Sequence, residues 1–287
     1  MEDIYKLKPE QFPKPLLEIP QPPKILYIRG RLPSPDLIYL AVVGSRKYTS
    51  YGKEICEKLI KGLKGYPIVI VSGLAMGIDT IAHRAALQNG LITISFPGSG
   101  LDNNILYPRQ NIKLAQEIVD AGGCLISEFP PDFISMLYSF PQRNRLMAGI
   151  SKAVLIIEAE EKSGTLITAR MALDYNRDVL AVPGSALSQN SNGTNSLIKQ
   201  GATPITKSEE ILEALGFKIE KEEQTDKEKY ADCSKEEMKI LSLLREGMER
   251  DDLVRDSGMN VAEANALLSI MEIKDLIKQE MGEIRKA

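Results

Sequence analysis

The 287-residue chain has few of the residues on which hydrolytic and redox enzymes depend. It holds one histidine, His83, and three cysteines, Cys56, Cys124 and Cys233, set far apart with no CxxC or CxxH pairing. That spacing offers no metal cage and fits buried thiols in a reducing compartment better than disulfides. No Ser-His-Asp or Cys-His order stands out, so no catalytic residue is assigned. His83 lies in DTIAHRAAL, where a helix residue bonded to a neighbouring loop is expected. Asp79 and Glu128 stand at strand ends, where carboxylates more often cap loops or helices than do chemistry. No apolar run approaches the ~20 residues of a membrane span, and MEDIYKLKPEQFPKP has no signal-peptide core. A cytoplasmic protein without membrane insertion is therefore expected. Positive charge is not in excess either, the net charge being −3. This argues against a coat of cations but leaves room for a local basic groove, because counterion release depends on a few well-placed cations.

Two nucleotide signatures are also missing. GSRKYTSYG, after the first predicted strand, lacks GxGxxG, and PIVIVSGLA has no acid at its tip to hold a ribose. No GxxxxGK[ST] stretch occurs. NAD binding and ordinary ATP hydrolysis are poor readings, and no cofactor or metal is expected.

What is present is a rhythm of short apolar runs: IYLAVVGS, PIVIVSG, LITISFPG, CLISEFP, AVLIIEA and DVLAVPG. Runs that are apolar throughout and end in Gly, Ser, Pro or an acid read as strands buried on both faces. The segments between them, Tyr51–Lys64, Thr80–Asn89, Gln110–Ala121 and Leu166–Tyr175, have helical spacing. An α/β fold with an extended Rossmann-like parallel sheet follows over residues 38–216. Residues 1–37, rich in proline, read as an extension packing on that core. Residues 217–234 read as a charged linker, FKIEKEEQTDKEKYADCS. Residues 235–287 hold three short amphipathic segments and a hairpin-like tail, the pattern of a small winged-helix domain.

In such a sheet, ligands bind beyond the carboxyl ends of the strands, where loops lead into helix N-termini. Small residues recur there: Gly44 and Ser45, Ser72 and Gly73, Gly98 and Ser99, and the turn Ser163, Gly164, Thr165. They let a ligand approach the backbone and leave amides to bind oxygen anions. Cations stand at the same ends: Arg46, Arg143 and Arg145 around Asn144, and Lys162, with Phe140 as a stacking surface. Many amides, several cations and no hydrolytic machinery point to a polyanion, and single-stranded nucleic acid fits.

These motifs resemble the DprA/Smf family of DNA-processing proteins. VVGSR, SGLAMGIDTIAH, FPGSGLDNNILYP, ISEFPP, FPQRNRLMAGIS, EAEEKSGTLITARMALDYNRDVLAVPG and NGTNSLIKQGA carry the resemblance, in order, from about residue 13 to residue 215. It implies a protein without catalytic activity that binds and protects single-stranded DNA and helps load RecA onto it in natural transformation and recombination. It also implies a homodimer formed through the Rossmann-like domain. By the same resemblance Arg46 is a phosphate contact, Arg143, Asn144 and Arg145 form the RNR motif, and Ser163, Gly164, Leu166, Thr168 and Ala169 form the SGxLxTA turn. Thr165 fills a small-residue position of that turn. Met76 stands where many relatives carry arginine. An N-terminal helical domain found in some relatives is not expected, since only about 40 residues precede the first predicted strand. The third segment of the tail presents Glu263, Asn265, Glu272 and Lys274 rather than an arginine-rich face. Protein contact or dimer support is therefore expected of it before DNA contact. The competing readings are a phosphoribohydrolase of the lysine-decarboxylase-like type, whose PGGxGT motif EKSGTLITA does not match, and a nucleotide sensor.

Overall fold

Every side chain of IYLAVV is apolar or aromatic, so a strand built from it must be covered on both faces. The computed structural model, which describes residues 4–219, 233–244, 247–280 and 282–286, meets that demand by alternation. The chain starts with β1 (Tyr5–Leu7), α1 (Lys14–Leu17) and β2 (Leu26–Gly30). Strand and helix then alternate through β3 (Ile38–Val43), α2 (Ser50–Lys61), β4 (Ile68–Ser72), α3 (Ile78–Gln88), β5 (Ile92–Ser95) and α4 (Ile112–Asp120). The series continues with β6 (Cys124–Ser127), α5 (Ser139–Ile150), β7 (Ala153–Ile156), α6 (Gly164–Asp174) and β8 (Asp178–Ala181). It closes with α7 (Asn192–Lys199), β9 (Thr203–Pro204) and α8 (Ser208–Ala214). The expected helices lie within a turn of α2, α3, α4 and α6.

All nine strands form one sheet in the order β1-β2-β6-β5-β4-β3-β7-β8-β9. From β6 to β9 every pairing is parallel. Along β3, Tyr39, Ala41 and Val43 face a core closed by α1, α5 and α6, while Leu40 and Val42 face one closed by α2, α3 and α8. β4 divides likewise, Val69 and Val71 to the first side and Ile68 and Ile70 to the second. A slip of one residue would exchange the two sets, so packing on both faces fixes the register.

The proline-rich start enters the sheet itself. Tyr27, Ile28, Arg29 and Gly30 pair antiparallel with Ser127, Ile126, Leu125 and Cys124. The first strand of the chain thus lies well before residue 38. Pro22 and Pro23 before β2, and Pro33 and Pro35 after it, stay outside the ladder because proline cannot donate to it.

Chain order runs outward from β3 in both directions, through β4, β5 and β6 on one side and β7, β8 and β9 on the other. The loops leaving β3 and β7 therefore part company, and a crevice opens at this switch point.

The second unit, from residue 220 onward, has its own core. Most of the expected linker, residues 220–232, lies outside the described residues. Helices Lys235–Leu243, Arg250–Ser257 and Val261–Ile273 bury Ile240, Leu253, Leu268 and Met271 together with Ile277 and Ile284 of the hairpin. The hairpin is β11 (Ile277–Glu280) with β12 (Glu283–Lys286), joined by β10 (Met248–Glu249) in the order β10-β12-β11. Ser234 and Glu237 cap the first helix reciprocally, and Gly258 ends the second in the left-handed conformation. Among the described residues no helix is long and apolar enough to cross a membrane.

Candidate nucleic-acid interface

The loop after β3 is held from below. Ser45 Oγ accepts from Lys47 N at 3.0 Å, and Asn190 Nδ2 donates to Lys47 O at 3.1 Å. Thr49 caps α2, accepting from Gly52 N at 3.1 Å, and donates its own hydroxyl to the buried carboxylate of Glu158 at 2.5 Å. With the backbone fixed this way, the side chains of Arg46 and Lys47 remain exposed. Neither forms an ion pair among the described residues; the Arg46 guanidinium lies 5.5 Å from the centre of the Phe140 ring.

The loop after β4 is fixed more tightly still. Leu74 is buried at φ 61°, a left-handed conformation that costs a residue with a Cβ, and Gly77 sits at φ 91°. Asp79 accepts from Gly73 N at 3.1 Å and Ala75 N at 3.3 Å, and Asn111 Nδ2 donates to Leu74 O at 2.7 Å. A Cβ on Gly77 would come within 2.4 Å of Ser45 O, so glycine there lets the β3 and β4 loops touch. Gly73 serves another approach, since a Cβ would lie 2.2 Å from Arg143 Nη1. Through that gap Arg143, buried on α5, donates to Gly73 O and Phe96 O. Its Nε donates to Asn144 Oδ1 at 2.8 Å.

Burial pushes the Arg143 guanidinium down to about 10; Asp79 opposes that fall and Arg46 adds to it. The cation therefore keeps its charge at neutral pH. Burial holds the Asp79 carboxyl above the usual range, against Arg143 and the two amides. Arg143, through Gly73 O, fastens α5 to the β4 loop.

The third wall is the start of α6. Ser163 caps it, accepting from Thr165 N at 3.2 Å, and Gly164, Thr165 and Thr168 border the opening. The three walls enclose an open cleft of about 440 Å³ lined by Gly44, Ser45, Arg46, Phe140, Arg143, Asn144, Ser163, Gly164 and Thr165. Amides at a helix start beside two exposed cations and one buried cation make an anion-binding surface.

The remaining expected residues lie elsewhere. Ser72 is buried, donating to Val42 O at 2.7 Å. Gly98 lies under the Phe140 ring, and Ser99 is buried with its hydroxyl on Gly100 O at 3.0 Å. Gly73 borders a smaller hollow next to the cleft. Arg145 turns to Glu128, and Lys162 is exposed outside the residues that line the cleft. Lys47, Glu160 and Thr168 do line it. Lys47 was legible as a second cation next to Arg46; Glu160, an acid on the rim of an anion site, had no such signal.

The acids weighed for chemistry have separate partners, Asp79 the β4 loop and Glu128 Arg145. His83 is fully buried with Nδ1 2.7 Å from Thr93 Oγ1, which itself donates to Ile70 O. The imidazole thus carries its proton on Nδ1. Its partner is a strand residue and not a loop, as had been expected. Among the described residues no cluster of three or more His, Cys, Asp or Glu is placed to hold a metal ion. Cys56 and Cys124 are buried, whereas Cys233 is half-buried.

Residues 3–216 match the family described as DNA recombination-mediator protein A, and residues 224–283 match the DprA winged helix domain. The Smf protein of Escherichia coli is 44% identical over 208 residues, 72% of this chain and 55% of that one. The DNA processing protein DprA of Streptococcus pneumoniae is 40% identical, covering 74% of each chain. The match thus spans about half of the first relative and three quarters of the second. The solved structure of the pneumococcal protein superposes with a TM-score of 0.68 over 76% of each chain. DNA processing protein A of Helicobacter pylori, whose single-stranded DNA binding mode has been described structurally, superposes at 0.64 with 33% identity, over 75% of this chain and 98% of that one. With three quarters of its length matched, and residues 224–283 matched by the family's own winged-helix domain, the chain belongs to the DNA recombination-mediator protein A family.

Proposed function

We propose that this protein binds single-stranded DNA in the cleft between the β3, β4 and β7 exits and protects it. The observation that carries the reading is the placing of two exposed cations, Arg46 and Lys47, which form no ion pair among the described residues, beside the Gly164 amide at the start of α6. Arg46 contacts a backbone phosphate, and Gly164 offers its N–H to the next oxygen, while the N–H groups of Ser163 and Thr165 are held by Glu160 O and Ser163 Oγ. Asn144 borders the same space with an Nδ2 that makes no hydrogen bond among the described residues. Arg143 lends charge from below without leaving its carbonyl partners. Amides and cations read phosphate and not base edges, so sequence preference is weak. The Helicobacter pylori relative supports the choice of ligand.

The finer role follows the resemblance: the bound strand is handed to RecA, the protein works in the cytoplasm as a homodimer through its first unit, and it turns over no substrate. The test is fluorescence anisotropy of labelled oligo-dT against wild type and Arg46→Ala over a salt series, with duplex as control. Salt-sensitive binding that prefers the single strand and collapses in the variant is expected. No binding by wild type at low salt overturns the reading.

A further inference from the structure

The cleft does not end at Arg46. Past the Phe140 ring it runs into a small hollow lined by Arg46, Gly73, Met76, Tyr107, Phe140 and Arg143. Phe140 is already engaged there: Arg46 lies over its ring, and Gly98 is so close beneath that a Cβ would come within 2.6 Å of Cδ1. The next ring outward is Tyr107, its centre 6.0 Å from that of Phe140 and tilted by 59°.

Tyr107 is held without being buried. Its N–H donates to Ser99 Oγ at 3.3 Å, and Leu106 before it is buried, yet the Tyr107 ring is 46% exposed. Its hydroxyl makes no hydrogen bond among the described residues. Met76, beside the same hollow, is 43% exposed at the tip of the loop that Leu74, Asp79 and Asn111 fix. An aromatic ring and a polarisable thioether, both on restrained backbone and both open to solvent, border a cationic cleft. Met76 thus sets an exposed apolar side chain at the hollow that Tyr107 also borders.

We propose that Tyr107, with Met76, forms a stacking site for one nucleobase of the strand whose phosphate lies at Arg46. The inference rests on the single-stranded DNA reading of the cleft. The hollow adjoins Arg46 directly, which places the base of a nucleotide next to its own phosphate. Every base has a π-face, so the contact adds affinity without sequence preference. Tyr107 orders little on binding, because its backbone is already fixed.

The test uses the full chain, a labelled oligo-dT strand, and a strand of equal length whose sites are all abasic. Wild type is expected to bind oligo-dT about tenfold more tightly than the abasic strand. Tyr107→Ala removes most of that difference and leaves the abasic affinity as it was, whereas Tyr107→Phe keeps the difference. The chain has no tryptophan, so Tyr107→Trp provides a single tryptophan, excited apart from the tyrosines, at the site. Its fluorescence is quenched by oligo-dT and not by the abasic strand. Unchanged emission at saturating oligo-dT, or a Tyr107→Ala protein that discriminates as wild type does, overturns the stacking site while the phosphate cleft stands. Wild type that binds neither strand at low salt overturns the cleft and the stacking site together.

Discussion

The two units of this chain both carry cations beside helix ends, and they use them differently. In the C-terminal unit, Lys274 donates to Glu237 at 2.7 Å, Arg255 to Asp252 at 2.6 Å, and Arg250 to Asn265 at 2.9 Å. The third helix there leaves Val261, Ile270 and Ile273 exposed. In the first unit, Arg46 and Lys47 have no carboxylate partner among the described residues and border a cleft walled by the start of α6. A net charge of −3 describes neither region. What distinguishes an anion site is charge that folding leaves uncommitted, next to backbone donors in a concave place.

Arg143 gives the sharpest test, because it is a cleft cation that folding has fully engaged. Arg143→Met leaves Asp79 buried without its cation and Gly73 O and Phe96 O without a donor. A loss of about 3 kcal/mol in unfolding free energy is expected, read by urea denaturation. Arg46→Ala, three residues from β3 and solvent-exposed, is expected to leave that stability unchanged and to weaken oligo-dT binding by about 1–3 kcal/mol. Its salt slope falls by about one. Equal stability losses in the two variants would erase the distinction between engaged and uncommitted cations.

Much of this was legible. The six apolar runs became the core strands because a residue buried on either face of a parallel sheet must be apolar, and that constraint is written locally. Gly44, Arg46 and Ser163 were legible as strand-exit and helix-start residues for the same reason. β2 was not, since its prolines dominate the reading of residues 20–35, although ILYIRG pairs well with β6. Nor could the sequence separate Arg143 from Arg145. They are two residues apart on one helix, yet one turns under the β4 loop and the other to Glu128. Which partner each meets depends on tertiary packing across the sheet. The same holds for Tyr107, whose loop is fastened to the segment after β6, Gly100 N donating to Phe133 O and Asp102 N to Pro131 O.

A smaller contrast concerns acid. The first unit buries His83 and the second buries Glu237. Burial, with the Arg143 charge adding to it, lowers the His83 imidazole to about 3, so the native state refuses the proton that the unfolded chain accepts below about 6.5. Stability is therefore lost as pH falls through that window, by about 1.4 kcal/mol per pH unit. Asp79, held high, works in the opposite sense. Comparison with His83→Leu, which removes only the imidazole, isolates the effect: the variant should lose about 2 kcal/mol less than wild type between pH 6.5 and pH 5. Glu237 is held below its usual range by Lys274 and then by the Ser234 amide, so its contribution persists until pH falls below the ordinary carboxylate range. Denaturation followed separately in the two units should show the first weakening at higher pH. Simultaneous loss would remove His83 as the cause.

The smallest effect expected lies on the third helix of the C-terminal unit, and its smallness is informative. If that helix lay against DNA, Glu263 and Glu272 would repel the phosphates, and replacing both with alanine would raise affinity through the field near the strand. If the helix faces a protein, or solvent, the two acids stand outside the screening distance of the bound strand, roughly 8 Å at physiological salt. The double variant Glu263→Ala with Glu272→Ala should then change oligo-dT affinity by less than about twofold, measured by the same anisotropy titration. A gain of fivefold or more would bring the second unit into the interface.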